Sequence, residues 1–424
     1  MQHSHMREGT SQHPRNRASV PLPLGAALLP VLFLAACGEN SGNDDSGASG
    51  DRNGAGNPGQ EEQEEAEPRA YTPEWPADTW VRQDPAVGER FNEDDAGGEP
   101  EYRPYAGVTA GDGRVYYWGG GHKTHDGNDI DAYDIRDNEW VQLTEEEDWT
   151  DVDDWDHLTA QEKQDIKDSN NAGWEVDLLS PRGRPVTKHS YAQMAWWPGH
   201  GYCLLKQRLW CYDPAMGDSD GAWQDLAEDP FPFDNTGQIA IWNLTYDPGL
   251  DTVVTVAGSG HNERAWAFDA QTGTWRTVVT AGSTGDAYTE VHSAYNPESG
   301  WHIVFAQNRW QRMNFGTGEV KEMAQLRHNG ERVGASFSIE WAPELGKALV
   351  AKRLDGQLRM WTYDPRANAW SEFELAGDGP MNAHAKWDTL ARDPETGVYV
   401  FLAKEDENAE EGETPETWTF WLSK

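Results

Sequence analysis

The sequence predicts an all-β propeller of six blades, because apolar runs of strand length come in groups, the groups return at a steady spacing, and the last group is one strand short. The first group reads 113–122, 130–134 and 139–143, the second 189–197, 202–205, 209–213 and 222–226, and the third 239–242, 252–256, 265–269 and 274–278. The fourth holds 292–295, 301–305 and 310–315, the fifth 336–339, 348–351, 358–364 and 369–373, and the sixth 389–391, 398–402 and 417–421. Each spans about 40 to 50 residues, the length of a four-stranded blade. The strand missing from the sixth group has a counterpart at the other end of the chain, where residues 78–83 read like a Trp-bearing fourth strand. Pairing that N-terminal strand with the last blade removes an open sheet edge. A degenerate seventh blade stays open as an alternative.

Ahead of the repeats, Arg7, Arg15 and Arg17 precede an apolar run from Leu22 to Leu34 that ends in Leu34-Ala35-Ala36-Cys37. That order is a signal peptide closed by a lipid-attachment cysteine. Pro23 and Pro30 interrupt the run, which is shorter than the ~20 apolar residues of a spanning helix. Residues 1–36 are therefore expected to be removed, with Cys37 carrying lipid and the membrane met through that anchor only. Residues 37–70 hold Gly, Ser, Asn, Asp, Glu and Gln with almost nothing apolar, which makes them an acidic disordered tether. The propeller occupies 71–424, with an acidic insertion at 144–184 in which 159–166 has helical composition behind a Thr cap. The expected location is the bacterial cell envelope, facing the periplasm or the exterior.

Lys and Arg number 34 against 73 Asp and Glu, a formal net charge of -39. A body so acidic repels nucleic acid and anionic membranes and suits a solvated monomer. Local groups of cations stand out against it. In a four-stranded blade, the turn after the second strand and the link into the next blade open on one face. Those positions hold His122, Lys123 and His125, then Arg184, Lys188, His189, Tyr191, Lys206 and Arg208, and then Asn235, Gln238, Trp242, Asn243, His261 and Asn262. Tyr288, His292, Asn308, Arg309, Arg332, Lys352, Arg353, Asn382, His384, Lys386 and Lys404 complete the ring. It fits an anionic polysaccharide, with Lys123, His125, His189, Asn262, His292, Asn308, Arg309, Arg353 and His384 as substrate contacts. Arg184 and His189 have an equal claim to hydrogen bonding between blades. Cys203 and Cys211 lie symmetrically about Gln207, the centre of a hairpin. Outside the cytoplasm they can form a disulfide, with two buried thiols as the alternative because a directly opposed pair has awkward bridge geometry.

A Gly pair, a Tyr and a Trp at fixed offsets in these groups resemble kelch repeats, which implies a kelch-like propeller. Across about 140 residues, four features in order resemble the ulvan lyases of polysaccharide lyase family twenty-five. They are a His after a Gly-rich turn (Gly119-Gly120-Gly121-His122), a Tyr on the next blade (His189-Ser190-Tyr191), an Arg shortly after it (Lys206-Gln207-Arg208) and a His on blade three (Gly258-Ser259-Gly260-His261). The resemblance implies that Tyr191 is proton donor and acceptor, while His122, Arg208 and His261 hold the substrate carboxylate.

The chemistry is coherent with those residue types. Elimination from a uronate needs a base, an acid and cations that stabilise the carboxylate, and a Tyr beside positive charge can serve as both base and acid. No cofactor is required, and a structural metal is left open. His122 and His125 lack a Cys or carboxylate partner in register, which disfavours a catalytic metal. Cys203 and Cys211 sit in a strand pair, not beside a ligand Tyr, which disfavours a copper-radical oxidase. The leading function is a surface-tethered propeller that cleaves uronate-containing glycan by β-elimination. A non-catalytic kelch binding or scaffold lipoprotein and a kelch-type sugar epimerase remain the alternatives.

Overall fold

Two turn chemistries, repeated around the molecule, cut the apolar sequence into strands. The computed structural model describes residues 71–88, 100–103, 106–120, 128–147, 149–172, 179–186, 190–206, 208–219, 221–227, 231, 243–256, 265–280, 291–306, 308–380, 389–403 and 414–423. All of them belong to the compact unit Ala66–Lys424. The segments expected as leader and tether, with Cys37, lie outside the described residues.

In the first turn chemistry, a third strand ends in Asp or Asn whose side chain accepts backbone N–H groups of the turn. Asp134 Oδ1 accepts from Arg136 at 3.1 Å, Asp213 Oδ1 from Ala215 at 2.9 Å and Asp269 Oδ1 from Gln271 at 2.9 Å. Asn314 Oδ1 accepts from Thr317 at 2.9 Å and Asp364 Oδ1 from Arg366 at 2.8 Å. In four of these turns the fifth position has a left-handed backbone carried by Gly or Asn, with φ of 50° at Asn138, 66° at Gly273, 73° at Gly318 and 51° at Asn368. Where that residue is Asn, its Oδ1 accepts a Tyr hydroxyl, from Tyr133 at 2.7 Å and Tyr363 at 2.8 Å. This is the physical content of the recurring Tyr-Asp before Trp. The second chemistry joins first and second strands through Pro198, Pro248, Pro297, Pro343 and Pro394, each fixing φ at the second turn position. Three of these turns are also stapled by a side chain: Asp247 Oδ1 accepts from Gly249 at 2.8 Å, Asn296 Oδ1 from Glu298 at 3.0 Å and Asp393 Oδ2 from Thr396 at 2.7 Å.

The strands assemble as six antiparallel blades. From the centre outward, blade one is Gly107–Gly111, Arg114–Trp118, Asp131–Asp134 and Glu139–Gln142. Blade two is Met194–Trp197, Gly201–Leu205, Leu209–Tyr212 and Trp223–Asp225, and blade three Thr245–Asp247, Thr252–Val256, Ala265–Asp269 and Thr274–Val279. Blade four is His292–Asn296, Trp301–Ala306, Arg309–Asn314 and Glu319–Glu322, and blade five Ser338–Ala342, Lys347–Leu354, Gln357–Asp364 and Ala369–Phe373. Blade six is Leu390–Arg392, Tyr399–Ala403 and Glu416–Phe420, with Val81–Arg82 as its outer strand. Among the described residues, the only further sheet is a ribbon of Arg327–His328 and Glu331–Arg332 between blades four and five, so no seventh blade forms there.

Closure is as the sequence predicts, with Val81 opposite Thr419 and Arg82 opposite Trp418. The same N-terminal strap also bonds both neighbouring blades. Trp80 N donates to Ala376 O at 2.9 Å on the blade-five side, and Ala86–Val87 runs parallel to Glu139 and Trp140 of blade one. Six clusters of buried side chains then fill the six seams. Innermost strands lie against their neighbours around the ring, and the sixth lies against the first. The face carrying the first-to-second turns is called lower here, and the opposite face upper.

The insertion is helical where its composition predicts. Trp149–Asp154 forms a 3₁₀ turn and Ala160–Ala172 an α-helix. Thr159 and Glu162 make a reciprocal cap, Glu162 N to Thr159 Oγ1 at 3.2 Å and Thr159 N to Glu162 Oε2 at 2.7 Å. Val152, Trp155, Ile166 and Val186 give it a small core of its own.

Cys203 and Cys211 are directly opposed in the ladder of blade two and joined by a disulfide, with Cα atoms 4.0 Å apart. The bridge is buried in the seam between blades two and three. For so short a loop, the double change Cys203→Ala/Cys211→Ala is expected to cost about 2 to 3 kcal/mol. That cost lowers the urea midpoint; an unmoved midpoint would show that packing alone holds the hairpin.

Candidate functional site

The upper face is built around the link that enters blade two. Ser190 Oγ donates to Trp118 O at 2.8 Å and accepts Gly107 N at 3.1 Å, so the link is stitched to the inner part of blade one. Leu244 N donates to Ala192 O at 2.7 Å and stitches it to blade three. Between these anchors Tyr191 is half-buried with φ of 41°. The other described non-glycine residues at positive φ are Asp, Asn or Ser, which tolerate that region; a bulky aromatic there is strained. Its carbonyl oxygen lies 1.5 Å from where a Cβ on Gly107 would stand, so only glycine fits beneath it.

The remaining expected residues divide sharply. His122, Lys123, His125, His189, His261, Asn262 and His384 lie outside the described residues. Arg208 is described, and its guanidinium is engaged by the Asp225 carboxylate and the Ala227 carbonyl of its own blade. His292 is buried on the inner strand of blade four, its ring 4.3 Å from that of Phe337. Asn308, with φ of 57°, makes the turn of blade four, exposed Arg309 follows it, and half-buried Arg353 sits near the upper end of blade five.

Several cations of the expected ring hold backbone instead. Lys206 is buried and donates to Val186 O at 2.7 Å. Lys352 donates to Gly334 O at 3.2 Å, Ser336 O at 3.1 Å and the Ala335 carbonyl. Both tie the upper end of the second strand to the link entering the same blade. Arg184 is bonded to the Glu145 carbonyl and the Asp218 carboxylate, which is the structural role set beside its functional one. Among the described residues no group of three His, Cys, Asp or Glu could hold a metal ion.

Two buried charge groups escape a reading of the sequence alone. Arg103 Nη2 lies 2.6 Å from Asp129 Oδ2 and 2.6 Å from Asp131 Oδ2, with all three side chains buried. Burial by itself lowers the Arg103 pKa, but the two facing carboxylates outweigh it and raise it. The alternation Asp129-Ile130-Asp131 puts both carboxylates on one strand face, which is the available clue; their cation is 26 residues away at the nearer of the two.

His302 Nε2 lies 3.1 Å from Asp247 Oδ2, joining blades four and three. Burial lowers the His302 pKa below 6.5 against the opposing pull of Asp247, and Asp247 is held below 3.8 because hydrogen bonds from His302, Leu250 and Gly249 outweigh its own burial. On unfolding below pH 6.5, His302 takes up a proton that the folded ring resists. Stability is therefore full above about pH 6.5 and falls as pH drops toward the folded His302 value. Asp247 adds a second loss below 3.8, as pH falls through its own lowered value. Thermal unfolding across this range is expected to show both losses, and His302→Gln to flatten the first; an unaltered profile in that variant would assign the first loss elsewhere.

No protein-family model matches the chain, and no curated protein matches it. Solved structures to which it is similar include regucalcin, a calcium-binding protein of Agrobacterium tumefaciens, at 10% identity over 74% of this chain and 88% of that one, with a TM-score of 0.40. A TolB-like protein of the same organism is similar at 14% identity over 54% of this chain and 79% of that one, with a TM-score of 0.36. Likeness at this level carries no argument about activity. The blade order, the seam clusters and the closing strap make this chain a six-bladed β-propeller on their own.

Proposed function

We propose that the protein is an envelope-tethered propeller acting on an anionic polysaccharide, as a uronate lyase whose proton-transfer group is Tyr191. The observation that carries this reading is the strained backbone of Tyr191, an aromatic residue with φ of 41° between two stitched anchors on the upper face. Such strain costs about 1 to 3 kcal/mol and concentrates at functional sites. In the reaction the Tyr191 phenolate removes the proton beside the carboxylate, the bond to the glycosidic oxygen breaks as a carbon–carbon double bond forms, and the resulting phenol gives that proton to the leaving oxygen, which restores the phenolate. His122, Arg208 and His261 are the cationic partners of the carboxylate in this proposal. The Cys203–Cys211 bridge supports an oxidising compartment, as the lipid-anchor sequence at Cys37 requires.

A second reading, a glycan-binding or scaffold propeller without catalysis, is favoured by the bonds of Lys206, Lys352 and Arg184 to backbone carbonyls, since charge used in this way is withdrawn from a substrate. Nothing among the described residues favours a sugar epimerase.

The two readings separate in one assay. The mature chain carrying Cys37→Ser is incubated with ulvan, alginate, pectate and glycosaminoglycans, and a lyase releases ultraviolet-absorbing unsaturated uronate from at least one. Tyr191→Phe is expected to lower that rate by about a hundredfold or more with glycan binding near wild type. Unchanged turnover removes Tyr191 from the chemistry, and binding without product on every glycan establishes the binding module.

A further inference from the structure

Lys206, Lys352 and Arg184 serve the scaffold, so the cations of the upper face that bear on a ligand are those left without a carboxylate. Among the described residues of that face these include Arg309, Arg327, Arg332 and Arg359, and all four belong to the seam between blades four and five. Residues 309–359 hold nine Lys and Arg against six Asp and Glu, in a chain of net charge -39.

Neutral groups draw the four together. Beside Arg309, Gln325 copies a strand pairing: Trp310 N donates to its Oε1 and its Nε2 donates to Trp310 O, both at 3.1 Å. Two residues on, Arg327–His328 and Glu331–Arg332 form a ribbon around an Asn329-Gly330 turn with φ of 50° and 87°. Buried Leu326 and Val333 root this ribbon in the seam, with Val333 N donating to Leu326 O at 3.1 Å. Beyond it, Lys352 holds the carbonyls of Gly334, Ala335 and Ser336, and Arg359 stands directly opposite Lys352 in blade five.

The ribbon points to the ligand. His328 is turned into blade five, its ring 5.9 Å from that of Trp361 and its Nδ1 3.4 Å from Glu372 Oε1. Strand alternation sends Arg327 and Arg332 to the other face, where both are exposed and directly opposed. Like charges so placed repel each other. Arg327 donates to the Gly330 carbonyl at 2.7 Å and Arg359 to the Gln357 amide oxygen at 3.3 Å, so neither is neutralised by its bond. Two guanidinium groups side by side on a rooted ribbon suit a carboxylate from outside.

We propose that this arginine track binds a run of acidic polysaccharide, with Arg327 and Arg332 sharing one carboxylate. The proposal rests on the anionic-polysaccharide reading but on no chemistry at Tyr191. On a six-bladed ring the seam of blades one and two, where Tyr191 sits, is opposite the seam of blades four and five, so the track grips the polymer away from the reacting bond. A membrane surface fits less well, because the exposed large apolar side chains among the described residues, Val87 and Met216, lie beside blade one and in blade two.

The mature Cys37→Ser chain is titrated at low salt with ulvan, alginate, pectate and heparin, and with phosphatidylglycerol vesicles. Arg327→Gln/Arg332→Gln is compared with Arg276→Gln/Lys347→Gln, which removes the same charge from the outer strand of blade three and the lower end of blade five. At least one polysaccharide is expected to bind wild type, the track variant about tenfold more weakly and the control pair as wild type. Relief of repulsion is expected to leave the urea midpoint of the track variant at or above wild type; if it falls instead, the exposed Arg309→Gln decides by the same comparison. Wild type that binds no polysaccharide overturns the anionic-polysaccharide reading and the track with it. Wild-type binding that the track variant keeps, or that the control pair loses equally, overturns the track alone. Vesicles held more tightly than every polysaccharide, and released by the track variant, assign the arginines to a membrane and overturn it too.

Discussion

Everything in this molecule depends on closing a ring whose last sheet is one strand short. A three-stranded blade six would present an open row of N–H and C=O groups, the usual template for unwanted pairing. Val81–Arg82 covers that row, and the same strap bonds Ala376 before it and Glu139–Trp140 after it. Blades five, six and one are thereby held by one segment from the far end of the chain. Trp80, carried on the strap, puts its ring 4.7 Å from Phe420 and 6.0 Å from Phe401, so closure also completes the apolar filling of a seam. Six seams make a stable disc only when the sixth exists.

The second constraint is the cost of buried carbonyl groups. Links between blades leave the ladder, so their carbonyl oxygens need partners from elsewhere. In a chain with few cations, Lys206, Lys352 and Arg184 supply them. A ring of basic residues at propeller link positions is thus partly a device for holding the links, and it is a weaker pointer to an anionic ligand than its composition suggests. Tyr191 differs because its backbone pays a conformational cost, and Gly107 beneath it makes room for its main chain.

Much of the fold was legible in the sequence because its causes are local. Tyr-Asp before a Trp strand encodes a side-chain-stapled turn, Thr159 with Glu162 three residues on encodes a helix start, and two cysteines placed symmetrically about Gln207 encode a directly opposed pair. The Pro turns were equally visible at 198, 248, 297, 343 and 394, and they are the signal that would have placed the lower rim of the channel.

The candidate site was legible only in part. Residue types at link positions can be counted from the sequence, but what each charge touches is set by pairings across blades. Arg208 meets Asp225, Arg103 meets Asp129 and Asp131, and His302 meets Asp247 across 55 residues of chain. By itself the sequence determined the blade period, the closing strand and the facing of Cys203 and Cys211, since these follow from two-residue alternation and turn chemistry within a few positions. Only the tertiary structure decided which cations serve the scaffold, because ring closure brings together side chains that no local pattern relates.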